Sequence, residues 1–142
     1  MSSPTEKIGG VAAGHGHALV AVGGDGSGPG FIYTAGNASR GLPELLILGG
    51  FDPRVMGLAL NELTEKMLAD GAPLPEGFVD IEWTFPFKVR RASQIAKLKY
   101  TIQAGQILGH ERYEVMQVMI CDRDGRYPGD ADCDPDFDVE LV

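Results

Sequence analysis

Short apolar runs separated by polar or glycine-rich stretches set the first frame for this chain. His17–Val22 (HALVAV), Phe31–Ala35 (FIYTA) and Glu44–Leu48 (ELLIL) have the length and composition of buried strands. GGDGSGPG, residues 23–30, lies between the first two and predicts a hairpin over 17–35. Phe78–Trp83, Pro86–Arg91 and Tyr113–Cys121 (YEVMQVMIC) extend the set, and DRDGR forms a turn after the last.

Elsewhere the period changes to that of a helix. Val55, Met56, Ala59, Leu60, Leu63 and Met67 recur three and four apart, and Glu62 and Lys66 form a pair four apart. Asp52 can cap this helix, Pro53 occupies its favoured first position, and Gly71 ends it. Residues 5–14 (TEKIGGVAAG) suggest a short helix with Ile8, Val11 and Ala12 inward, closed by His15-Gly16. Ser93–Gln103 suggests another, capped by Ser93, with Ile95, Leu98 and Ile102 inward and Gly105 at its end. Strands and helices mix without strict alternation. The expectation is therefore an α+β fold: one compact domain over 1–142, a largely antiparallel sheet of five or six strands, and two to three helices. An acidic tail occupies about 129–142.

Composition and charge narrow the function. At 142 residues the chain is long enough to bury a core, and 44% hydrophobic with 23% charged residues is ordinary for a globular protein. No apolar run reaches the ~18 residues of a membrane span. MSSPTEKIGG has neither the basic start nor the apolar block of a secretory signal, so the cytoplasm is the expected compartment. A net charge of −8 argues against a nucleic-acid partner, which needs a basic face. Lys88, Arg90 and Arg91, with Lys97 and Lys99 after them, form a local basic cluster suited to one anionic ligand rather than a polyanion. Cys121 and Cys133 are expected to be reduced, and neighbouring carboxylates should raise the pKa of Cys133, so neither reads as a nucleophile.

The richest polar stretch is residues 31–50, FIYTAGNASRGLPELLILGG. Tyr33 and Thr34 end one strand, Asn37 and Arg40 sit on the connection, and Glu44 starts the next strand. If the strands are neighbours, these groups meet at one end of the sheet and offer donors, a cation and a carboxylate to a small polar ligand. Gln117, mid-strand, can add an amide. A purely local reading stands beside this one. Glu44 then pairs with Arg40 or caps loop amides, Tyr33 packs, and Gly36, Gly41 and Pro43 set the turn.

Other constellations carry less. His15 and His17 form H-x-H, with His110 as a conceivable third ligand, but no carboxylate follows at close spacing and no metal is expected. GGDGSGPG lacks the Lys-Ser/Thr of a phosphate loop and leads into a strand. The alternating acids at 130–140 fail the calcium-loop pattern, with Pro135 where glycine is needed and Leu141 where glutamate is needed. They read as a solvated edge with Phe137, Val139 and Leu141 inward. No G-x-S-x-G elbow occurs and no local Cys-His pair is evident, so neither a catalytic set nor a cofactor is assigned.

Several of these segments also match a known pattern in order and spacing. They are the His15-Gly16 turn, GPGFIYTAG with Tyr33, Thr34 and Gly36, and GLPELLILG with Pro43 and Glu44. The GAPLP connector at 71–75 and MQVMICDRDGRYP, with Gln117, Asp124, Gly125 and Pro128, complete the set. From about His15 to Pro128 the chain resembles the bacterial and phage family known as domain of unknown function 4262. It departs where relatives carry a tryptophan after the late proline (here Gly129) and an aromatic after the His-Gly turn (here His17). Both changes remove a ring and would widen or abolish a shared pocket. The resemblance implies a fold and matching positions, not an activity. Its phage members suggest an accessory factor that sequesters a host molecule or blocks a host protein.

Three functions stay open. The leading one is binding of a small polar ligand near residues 33–44. The second is an enzyme on a polar metabolite, with Glu44 or His15 as base and Arg40 as anion clamp. The third is an interaction module using a sheet edge and the acidic tail, with a second copy or a host protein as partner.

Overall fold

In a computed structural model, which describes residues 8–12, 17–22, 30–49, 51–101, 109 and 112–142, the apolar runs pair into one sheet. The strands are β1 (Ile8–Ala12), β2 (His17–Val22), β3 (Phe31–Ala35), β4 (Glu44–Leu48), β5 (Gly77–Val79), β6 (Phe87–Arg91) and β7 (Val115–Met119). Their order is β1-β2-β3-β4-β7-β6-β5, and every neighbouring pair is antiparallel except β4–β7. The fold is a single α+β domain, with seven strands among the described residues where the pattern anticipates five or six. The additional one is β1.

Residues 8–12 are thus strand, not the short helix suggested over 5–14. The register of β1 on β2 shifts between Gly9 and Ala12, so strict alternation is lost there. The apolar residues Ile8, Val11 and Ala12 then fall at helix-like intervals. The suggested helix end at His15-Gly16, most of the glycine-rich turn, and Ile102, Gly105 and His110 lie outside the described residues.

Helix α1 (Pro53–Asp70) follows its sequence signals closely. The Asp52 carboxylate accepts the Arg54 N–H at 3.0 Å, Pro53 opens the helix, and Gly71 closes it in the left-handed conformation. Met56, Ala59, Leu60, Leu63 and Met67 are buried, and Val55 points outward. The Glu62–Lys66 pair does not form: Lys66 bridges to Asp70 at 3.3 Å, and Glu62 accepts the Trp83 indole N–H at 2.6 Å. The inward stripe packs on Ile32, Leu45, Ile47, Val89, Met116 and Val118, which form one face of the sheet. Each such leucine contributes about 2 kcal/mol.

The other face carries Val20, Tyr33, Leu46, Leu48 and Val115. It is covered by Tyr100, at the end of α2 (Gln94–Tyr100), and by the final residues Val139 and Val142. Ser93 caps α2 as expected, accepting the Ala96 N–H at 3.1 Å. The inward residues, however, are Ala96 and Lys97; Ile95 and Leu98 are exposed. The helix is pinned at both ends, by Ser93 N–H to the Val142 carbonyl and by Thr101 to Tyr113, and those ties set its rotation. Of the anticipated 78–83 strand only Phe78 and Val79 pair, and the observed strand begins one residue earlier, at Gly77. In the tail, Phe137 stacks on Phe51 and Val139 packs inward, whereas Leu141 is exposed. Among the described residues no helix is long and apolar enough to cross a membrane.

Candidate functional site

Strands β3 and β4 run antiparallel with Tyr33 opposite Leu46, which brings Thr34 and Glu44 together at one end of the sheet. Between them, Gly36 leads into a 3-10 turn (Asn37–Arg40), and Gly41 ends it in the left-handed conformation. The Glu44 carboxylate is fully buried behind this turn. It accepts the Thr34 hydroxyl at 2.8 Å and the backbone N–H groups of Gly36, Asn37 and Ala38 at 3.1, 3.1 and 2.9 Å. One anionic side chain thereby satisfies the amides that the turn leaves without partners.

Thr34 extends the network, since its hydroxyl oxygen accepts the Leu45 N–H at 2.9 Å. The Asn37 side-chain amide lies 3.2 Å from the Pro43 carbonyl, 3.1 Å from the Thr64 hydroxyl and 3.3 Å from that of Thr34. Burial pushes the Glu44 carboxyl above its usual range, outweighing the donors at Ala38, Thr34, Gly36 and Asn37 that pull it down.

In front of this buttress lies an open cleft of about 450 Å³. Ala38, Gly41, Leu42 and Pro43 form one wall, and Pro73 borders it. Opposite stand Gln94 and Lys97 from α2, and Arg112, Tyr113 and Glu114 from the approach to β7. Lys97 is buried to 8% exposure, with its ammonium 4.5 Å from the centre of the Tyr113 ring. The Tyr113 hydroxyl donates to the Thr101 carbonyl at 2.8 Å and lies 3.0 Å from the Thr101 hydroxyl, tying the end of α2 to the cleft. Glu114 forms an ion pair with Arg91 at 3.4 Å.

Of the sequence-predicted residues, Thr34, Asn37 and Glu44 come together, behind the cleft wall rather than on it. Arg40 ends the 3-10 turn and is exposed. Tyr33 packs on the opposite sheet face, stacked 6.2 Å from Phe31. Gln117 is equally buried and holds the end of the chain, donating to the Glu140 carbonyl at 2.6 Å and accepting the Val142 N–H at 2.9 Å. His15 and His110 lie outside the described residues, as does the side chain of His17.

Lys97, Arg112 and Tyr113 are the cleft residues that sequence reasoning passed over. Lys97 carried a signal as part of the basic cluster, but helical periodicity pointed to Leu98 in its place. Both cysteines are free and buried, and burial, more than the neighbouring acids, raises the Cys133 thiol.

No curated protein and no solved structure matches the chain. The model of the family described as a domain of unknown function (DUF4262) matches residues 11–134. By that match, over most of its length, the chain belongs to the DUF4262 family.

Proposed function

We propose that this chain is a binding domain for a small polar ligand, seated in the cleft between residues 38–43 and α2. The observation that carries the reading is the cleft itself. At about 450 Å³ it lies within the range of small-molecule sites, and its walls come from four separate parts of the chain. Leu42, Pro43, Pro73 and the Tyr113 ring offer apolar contact, while Gln94, Lys97 and Arg112 offer donors and positive charge. Thr34, Asn37 and Glu44 serve the ligand indirectly, by fixing the wall at Ala38–Pro43.

Binding is favoured over catalysis by the state of Glu44. Four hydrogen bonds engage its carboxylate, and it has no exposed surface from which to take a substrate proton. The cleft residues themselves include no nucleophile paired with a base.

Thermal-shift titration with a panel of small carboxylates, nucleosides and sugars tests the reading. At least one compound should stabilise the wild-type chain, and Gln94→Trp, which fills the cleft from an exposed helix position, should abolish that shift. A panel without effect, or a shift unchanged in Gln94→Trp, overturns it.

A further inference from the structure

The sheet face opposite α1 is covered only in part. Along one cross-strand row, Val20, Tyr33, Leu46, Gln117 and Arg90 stand side by side, as the registers of β2, β3, β4, β7 and β6 require. The chain end lies over this row as far as Gln117, which binds it through Glu140 and Val142. Beyond Gln117 the face continues into the open with Arg90 and, two residues earlier on the same strand, Lys88. Met119, opposite Lys88 and buried, and the exposed Leu141 complete a groove of about 220 Å³, with Glu76 and Arg91 at its margin.

The charges in this groove differ in how they are engaged. Arg91 is committed to Glu114. Among the described residues neither Lys88 nor Arg90 has a carboxylate within 4.0 Å, and the contact recorded for Lys88 is the Phe78 ring at 5.9 Å. Two half-buried cations thus stand on one strand face in a chain of net charge −8. At a Debye length of about 8 Å the distant acids are largely screened, so Lys88 and Arg90, against the single carboxylate of Glu76 at the margin, set a positive potential in the groove.

We infer that the Lys88–Arg90 groove is a binding site for a phosphate-type oxyanion, distinct from the cleft beside residues 38–43. Positions two apart on a strand are separated by about 6.8 Å, a gap that two long side chains can close around one tetrahedral group. The Arg90 fork takes two oxygens and the Lys88 ammonium a third, a division that a planar carboxylate with two oxygens cannot satisfy. The oxyanion is either free phosphate or the phosphate group of a small metabolite, whose body would lie along Met119 and Leu141.

The test is a backbone-amide NMR titration of the full chain at constant ionic strength. Inorganic phosphate and glycerol 3-phosphate are the probes, with chloride and glycerol as controls. Saturable shifts should appear at Lys88–Arg91 and near Leu141, with neither control reproducing them. Tighter binding of glycerol 3-phosphate identifies a phosphorylated metabolite as the source, and equal or weaker binding identifies free phosphate; both support the site. The double variant Lys88→Gln/Arg90→Gln should lose affinity by about tenfold or more, the scale of one charge-assisted hydrogen bond. Each single variant supplies the same comparison, at about threefold or more, should the double variant fail to fold. Shifts that do not saturate, that match chloride, that map to the cleft at Ala38–Pro43, or that persist in the variants overturn the inference.

Discussion

Thr34 donates its hydroxyl to the buried Glu44 carboxylate at 2.8 Å, and the same oxygen accepts the Leu45 backbone N–H at 2.9 Å. The link joins the end of β3 to the start of β4 through side chains, where the loop between them has turned away. Thr34→Val keeps the shape but leaves the Leu45 N–H and one Glu44 oxygen short of a partner. It should cost about 2 kcal/mol in chemical denaturation, and Thr34→Ser should recover most of that.

Glu44→Gln is the harsher change, because its amide group turns two donors toward backbone N–H groups that need acceptors. A loss of about 3 kcal/mol is expected at neutral pH. The pH profile gives a second reading. Burial raises the carboxyl, so the folded state holds this proton more tightly than the unfolded chain, whose value is near 4.5. The stability from this protonation is fully present below 4.5 and fades as pH rises through the folded value. The Glu44→Gln profile should lack that decline; an identical slope in both proteins would refute the assignment to Glu44.

Parts of this arrangement were legible in the residues and parts were not. Asp52, Pro53 and Gly71 marked the bounds of α1 because caps act locally, and β2 to β4 announced themselves by composition. Residues 8–12 were misleading because an irregular register spoils the period of two. In α2, the ties at Ser93 and Thr101 overrode the spacing of Ile95 and Leu98 and turned Lys97 inward. The polar content of residues 34–44 was plain, but which way the Glu44 carboxylate faces depends on a glycine at φ 134 and a 3-10 turn. Lys97 and Arg112 line one cleft from positions fifteen residues apart, a placement that no local pattern encodes.

Asp122 titrates in the opposite sense to Glu44. Its carboxylate accepts the N–H groups of Arg126, Asp124 and Asp134, each at 2.9 Å, and anchors the loop after β7. These bonds, that from Arg126 foremost, hold its carboxyl below the ordinary 3.8. The contribution is present above 3.8 and lost as pH falls through the lower folded value. Asp122→Asn should therefore lower Tm by several degrees at neutral pH, with the gap closing in strong acid. A gap that stays constant down to the acid limit would count against this account.

Gln117 acts toward the chain end as a strand edge would, donating to the Glu140 carbonyl and accepting the Val142 N–H. Gln117→Leu keeps the bulk on that face but removes both bonds. The variant should remain folded, with a loss of about 2 kcal/mol. Its residues 139–142 should also be cut much faster than wild type in limited proteolysis, because only the Ser93 N–H bond to the Val142 carbonyl, the Tyr100 hydroxyl bond to Glu140 and packing then hold them. Unchanged cleavage would show that Val139 and Val142 need no help from Gln117.

Tyr113 has two separable duties at the cleft. Its hydroxyl binds Thr101 and so fixes the end of α2, and its ring lies under the Lys97 ammonium. Tyr113→Phe removes only the first and should cost about 1–2 kcal/mol, measured by chemical denaturation. Tyr113→Leu removes the ring as well and should cost about 1 kcal/mol more, since a buried cation–π contact is worth roughly that. A compound that stabilises the wild-type chain through the cleft should still do so in Tyr113→Phe, where Lys97 keeps its seat, and should do so weakly or not at all in Tyr113→Leu. Equal responses in the two variants would show that the position of Lys97 does not govern what the cleft holds.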